Sequence, residues 1–191
     1  MKKLATILML VAVILLGGMS MDAKTSKKKT KAKSTAKSKV IIPDGVYEIS
    51  PMNAPGFALD LNADEHRDAN NVQIYQKNDT PAQMWYVKNI PDGRIQIISW
   101  GDFNYVIDNS AFRLVNGNNI FIWHKNGEIN QVWIPEKVGS GLYVLRTAQD
   151  PNFVIDSGGE ARNGCNVHLW NYEKGLNNQI WKFKLLFSEW D

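Results

Sequence analysis

This 191-residue sequence predicts an all-β fold of three equivalent lobes, and three observations carry that prediction. First, Gln83-Met84-Trp85 returns as Gln131-Val132-Trp133 and Gln179-Ile180-Trp181, at a step of 48 residues. The same step links Asp60, Asp108 and Asp156, then Gly45, Gly93 and Gly141, then Phe57, Tyr105 and Phe153. Self-similarity at a fixed period marks stacked or pseudosymmetric units. Second, each copy alternates apolar with polar residues in short runs, the pattern of half-buried strands. Third, residues 41–191 contain no convincing amphipathic helix.

The repeats run over 45–92, 93–140 and 141–188, and each reads as four strands. In the third copy these are expected at 142–147, 153–157, 166–171 and 180–185. Trp181, Phe183 and Leu185 share one face of the last strand, and Lys182 and Lys184 the other. Turn residues punctuate the joins, as at Pro91-Asp92-Gly93, Asn116-Gly117-Asn118 and Asp150-Pro151-Asn152. Three four-strand units give twelve strands with threefold pseudosymmetry. A propeller needs at least about four blades, so a closed threefold barrel with a hairpin cap fits better. A domain of this size buries roughly 68–70% of its unfolded surface, enough for stability without disulfides. The single cysteine, Cys165, excludes an intrachain disulfide and a cysteine-rich zinc site.

Charge is segregated along the chain. Residues 24–39, from Lys24 to Lys39, hold eight lysines and no acid. Residues 41–191 hold 12 of the 22 basic and 18 of the 19 acidic residues, a net of −6. An acidic body argues against a basic-groove nucleic-acid fold. Lys2 and Lys3 precede an apolar run from Leu4 to Leu16, followed by Gly17, Gly18, Ser20 and Ala23. That reads as a secretory signal over 1–23, cleaved after Ser20 or Ala23, or else as an uncleaved N-terminal anchor. The lysines just behind it run against the positive-inside rule. No cysteine lies just behind the apolar run, so a bacterial lipid anchor is not expected. Residues 24–40 are expected to be a disordered linker, because Lys, Thr, Ser and Ala offer little to bury. It is either a solvated spacer or a tail docking on an anionic cell-surface polymer. The expected location is secreted or cell envelope, at the periplasm or cell surface.

Alternation also indicates where side chains point. On the second strand of each repeat Phe57/Leu59, Tyr105/Ile107 and Phe153/Ile155 form the apolar face, so Asp60, Asp108 and Asp156 point the other way. On the third, Val72/Ile74, Ile120/Ile122 and Val167/Leu169 face inward, leaving Tyr75, Trp123 and Trp170 outward. Each repeat is thus expected to present a carboxylate and a large aromatic on its outer surface. An aromatic face stacks on the C–H patch of a pyranose, and a carboxylate accepts bonds from neighbouring hydroxyls. The residue two before each aromatic is Gln73, Phe121 or His168; the first and last can hydrogen-bond a ligand, and Phe121 can only pack. Trp85, Trp133 and Trp181 are expected in the core. Gln83, Gln131 and Gln179 read as turn braces, and the three Asp residues either contact ligand or brace their own loops.

The three QxW motifs, each with an upstream Asp and an aromatic between, resemble the ricin-B-type β-trefoil lectin family. The stretches Asp44-Gly45-Val46-Tyr47-Glu48-Ile49-Ser50, Leu59-Asp60-Leu61 and Asn71-Val72-Gln73-Ile74-Tyr75 resemble its disulfide-free bacterial branch. The resemblance covers 41–191. It implies a β-trefoil and a non-catalytic, monomeric, secreted carbohydrate-binding module without cofactor or metal. Up to three weak sugar sites would engage a polysaccharide or glycoconjugate. Asn130 and Asn178 match the family's amide position, where the first repeat departs with Ala82. The implied sites are Asp156, His168, Trp170 and Asn178; Asp108, Trp123 and Asn130; and Asp60, Gln73 and Tyr75. The alternative is a cell-envelope adaptor that binds a protein through the trefoil and an anionic surface through the lysines. Asp64, Glu65 and Asp68 form an acidic loop that reads as a solvated turn, and no catalytic motif is present.

Overall fold

The computed structural model describes residues 40–110 and 113–188. The expected signal at 1–23 and the lysine-rich linker at 24–40, save Val40, lie outside the described residues. The first repeat forms β1 (Gly45–Pro51), β2 (Phe57–Leu61), β3 (Asn70–Gln76) and β4 (Trp85–Ile90). The second forms β5 (Arg94–Ser99), β6 (Tyr105–Asp108), β7 (Phe121–His124) and β8 (Trp133–Gly139). The third forms β9 (Leu142–Thr147), β10 (Phe153–Asp156), β11 (Cys165–Asn166), β12 (His168–Asn171) and β13 (Trp181–Phe187). No α-helix occurs among the described residues, and the helical turns are short 3₁₀ segments.

The strand pairings close on themselves. β1 pairs β4, β4 pairs β5, β5 pairs β8, β8 pairs β9, β9 pairs β13, and β13 returns to β1, all antiparallel. This ring of six is a barrel with no free edge. Hairpins β2–β3, β6–β7 and β10–β12 form the cap, joined by β3 to β7 and to β11. The architecture is a β-trefoil.

At the centre of the cap, Val72 N–H donates to Ile120 O (3.2 Å), Ile120 N–H to Val167 O (3.1 Å) and Val167 N–H to Val72 O (3.2 Å). This cyclic triad joins the three repeats through fully buried residues. Among the described residues there are thirteen strands rather than the expected twelve. The expected strand 166–171 is split at Val167 into β11 and β12.

Trp85, Trp133 and Trp181 are fully buried, as expected. Each indole N–H donates to a second-strand carbonyl: Leu59 O (3.0 Å), Ile107 O (3.4 Å) and Ile155 O (2.9 Å). The bond satisfies the polar end of an otherwise apolar ring.

A further threefold set escaped the sequence reading. Asp68 Oδ1 accepts from His124 N–H (2.9 Å), Asn116 Oδ1 from Asn171 N–H (2.7 Å) and Asn163 Oδ1 from Gln76 N–H (2.8 Å). Each side chain reaches from the hairpin loop of one repeat to the third-strand end of another. His124 Nδ1 also lies 2.7 Å from Asp68 Oδ1, and His66 Nε2 lies 2.8 Å from Ser99 Oγ. The next residue of each loop is left-handed: Ala69 (φ 62°), Gly117 (φ 81°) and Gly164 (φ 80°).

Candidate functional site

The candidate sites grow from the second and third strands of each repeat. Cross-strand register places Asp60 opposite Gln73, Asp108 opposite Phe121, and Asp156 opposite His168. Tyr75, Trp123 and Trp170 lie two residues further along the same strands. These rings are 37%, 36% and 40% exposed, so their outward assignment holds.

The carboxylates differ from the expectation of open acids on the outer surface. Asp60, Asp108 and Asp156 are 5%, 2% and 2% exposed. The cause is the short turn before each tryptophan strand, Pro81–Gln83, Ile129–Gln131 and Asn177–Gln179, which lays amides across the carboxylate. Gln83, Gln131 and Gln179 donate Nε2 to the Oδ2 of Asp60 (3.0 Å), Asp108 (3.1 Å) and Asp156 (3.0 Å). Each Nε2 also bonds the carbonyl of Gln76, His124 or Asn171, while Oε1 accepts from the N–H of Asn78, Asn126 or Glu173. The QxW glutamine therefore braces its turn and fixes the aspartate at once.

Oδ1 is where the repeats diverge. Asn178 donates to Asp156 Oδ1 at 2.8 Å, joined by Gly158 N–H at 2.7 Å, with His168 Nε2 at 3.6 Å. Asn130 Nδ2 stands 2.9 Å from both oxygens of Asp108. In the first repeat Ala82 has no amide, and Gln73 Nε2 donates to Asp60 Oδ1 at 2.9 Å from the neighbouring strand. The departure from the family's amide position is thus made good by a different residue reaching the same atom.

Burial pushes the Asp60 and Asp108 carboxyls above the ordinary aspartate value of 3.8. Bonds from Gln73 and Gln83, and from Gln131 and Asn130, hold that rise back, and nearby Asp64 and Asp68 add to it.

In the first repeat these groups edge an open depression of about 480 Å³, lined by Asp60, Gln73, Tyr75, Asn78, Thr80 and Ala82, with Asn62 and Asp64 also in its lining. Neither Asn78 nor Thr80 stands out in the sequence, because Asn78 recurs 48 residues on as Asn126 but gives way to Lys174 in the third repeat, and Thr80 recurs in neither. Phe121 packs against Trp123 (ring centroids 5.7 Å) and His168 against Trp170 (5.4 Å), so the residue two before the aromatic also buttresses it. The acidic loop of Asp64, Glu65 and Asp68 is drawn in by Asn70, whose Nδ2 donates to Asn62 O and Glu65 O. No group of three His, Cys, Asp or Glu side chains is placed to hold a metal among the described residues.

A pseudo-threefold β-trefoil with one aspartate-and-aromatic constellation per lobe defines the class of protein. Residues 81–170 match the family described as ricin-type beta-trefoil lectin domain-like. Over those residues, 90 of the 191, the chain is similar to a ricin-type β-trefoil lectin-like domain.

Solved structures agree on the fold. The designed threefold-symmetric protein ThreeFoil is 24% identical, with a TM-score of 0.69, over 73% of this chain and 98% of that one. The Rhizoctonia solani agglutinin is 19% identical (TM-score 0.67, 78% of this chain, 99% of that one). The Macrolepiota procera ricin B-like lectin, solved with lactose, is 19% identical (TM-score 0.61, 75% of this chain, 98% of that one). No curated protein matches the chain.

Proposed function

We propose that this protein is a non-catalytic, lectin-like carbohydrate-binding module with up to three sugar sites, one per repeat. The observation that carries the reading is the threefold recurrence of a carboxylate clamped by amides beside an outward ring. An aromatic exposed by more than a third at three equivalent positions is a stacking platform for the apolar face of a sugar. The carboxylate is held in one orientation by the QxW glutamine, so its remaining acceptor capacity is pre-aimed at a ligand hydroxyl. Gln73, Asn130 and Asn178 supply amides at the same place. The family match and the lactose complex of the M. procera lectin support a glycan as the partner.

In this reading Tyr75, Trp123 and Trp170 stack, Asp60, Asp108 and Asp156 accept hydroxyl protons, and His168 adds a polar contact in the third site. Single sites are weak, and affinity comes from several engaging one polymer. The protein acts outside the cytoplasm, with residues 24–39 as tether or surface anchor. A glycan array probed with the full chain tests the proposal. One glycan class is expected to retain the protein and to be competed off by its free sugar. Uniform absence of binding would overturn it.

A further inference from the structure

We propose a fourth binding site, for an acidic sugar, in a cavity on the β1–β13 face whose lining shares no residue with the aspartate–aromatic constellations. The cavity has a volume of about 150 Å³ and is edged by Glu48, Ser50, Lys77, Lys182 and Lys184. At ~30 Å³ per water it has room for about five water-sized groups, the scale of the acid end of one monosaccharide.

Charge is the first argument. Glu48 is 6% exposed, and its Oε1 lies 2.8 Å from Lys77 Nζ. Register places Lys184 opposite Glu48 and Lys182 opposite Ser50, so both ammonium groups stand over the same face. Lys77 already neutralises Glu48. Lys182 and Lys184 have no ion-pair partner among the described residues, which leaves the cavity two uncompensated positive charges within a net acidic domain.

Pseudosymmetry is the second argument, because the equivalent faces are self-satisfied. On β4–β5 the counterpart of Lys184 is Lys88, bound by Asp44 at 2.7 Å. There Tyr86 and Ile98 stand for Lys182 and Ser50, under Trp100, Phe103 and Phe187. On β8–β9 the counterpart is Glu136, bound by Arg146 at 2.6 Å, and Arg146 lies 4.0 Å from the Tyr172 ring centroid. Only the β1–β13 face leaves its cations open among these three.

The rest of the lining narrows the ligand. Met52, Pro55 and Leu142 give the cavity an apolar side. A bare inorganic oxyanion gains nothing from it, whereas a carboxylated pyranose sets its C–H face there and its carboxylate between the lysines. Lys presents a point charge rather than a bidentate fork, which suits a single carboxylate of variable approach. The site stands independently of the three proposed sugar sites.

The test titrates the full chain with D-glucuronate, D-glucose and sodium sulfate at matched ionic strength, following amide resonances of Ser50, Lys182 and Lys184. Glucuronate is expected to give saturable shifts, glucose none, and sulfate binding weaker than glucuronate. Lys182→Gln with Lys184→Gln, both exposed and outside the core, is expected to weaken glucuronate binding roughly tenfold with an unchanged melting temperature. Trp170→Ala is expected to leave it intact. Non-saturating shifts, or binding that survives the double substitution, overturn the site. Sulfate binding as tight as glucuronate overturns the sugar as its ligand.

Discussion

The first and third repeats place the same chemistry at the same spot with different residues. In the third, Asn178 reaches Asp156 from the turn before the tryptophan strand. In the first, that turn carries Ala82, and Gln73 reaches Asp60 from the strand directly opposite. The shared element is the glutamine of QxW, which holds the other carboxylate oxygen in both. The lesson is that the lobe fixes the aspartate, and either of two neighbouring positions can complete its hydrogen bonds.

The two lobes should be equal where their scaffolds are equal. Trp85→Ala and Trp181→Ala are each expected to cost about 3–5 kcal/mol, since both remove a fully buried ring and its hydrogen bond. Denaturant unfolding checks this. A cost below ~1 kcal/mol for either would show that the lobes do not share a core.

They should differ at the amide. Gln73→Ala strips a buried, charge-assisted bond from Asp60 and is expected to cost about 1.5–3 kcal/mol. His168→Ala should cost less, because Asp156 keeps Asn178, Gln179 and the Gly158 N–H. Adding Ala82→Asn to Gln73→Ala rebuilds the third-repeat arrangement in the first, and is expected to recover at least half of the loss. Failure of that rescue in thermal melts would mean the two positions are not interchangeable.

The pH response sharpens the same contrast. Asp60 and Asp108 have folded-state carboxyl values raised above 3.8 by burial. Their stabilising contribution is therefore fully present below that value and is lost as pH rises through the raised one. Acidification from neutral should not destabilise the fold through these two groups. Glycan binding through them should fall, starting above pH 3.8, as the acceptor carboxylates take up protons. Parallel binding and melting curves between neutral pH and pH 4 check both signs.

The smallest expected effect lies in the hairpin loops. Ala69 holds a left-handed conformation where Gly117 and Gly164 stand in the other repeats. Ala69→Gly is expected to stabilise by up to about 1 kcal/mol, and Gly164→Ala to destabilise by about 1–2 kcal/mol. Opposite signs would show that the loops are not equivalent.

The barrel, its three buried tryptophans and the outward rings were all legible in the sequence, because period-two alternation and the 48-residue step are local signals. What was not legible depended on distance in the chain. The burial of Asp60, Asp108 and Asp156 comes from turns more than twenty residues downstream, whose amides fold over the carboxylates. Alternation gives the face of a strand but not what lies over it. The Val72–Ile120–Val167 triad and the Asp68–Asn116–Asn163 set link different repeats, so neither produces a pattern within one repeat. Both sit in columns spaced 48 and 47 residues apart, and comparing repeats column by column at that slightly broken step would have shown the second.

The central claim is that the outward rings are sugar platforms, and one titration series addresses it most directly. Tyr75→Ala, Trp123→Ala and Trp170→Ala, made singly and together, are titrated with the monovalent form of the best array glycan. Each single substitution is expected to leave the melting temperature within a few degrees of the parent and to reduce binding. Trp170→Ala should do so most, through loss of a stacking ring packed against His168, and the triple variant should abolish binding. A folded triple variant that binds like the parent would contradict the account.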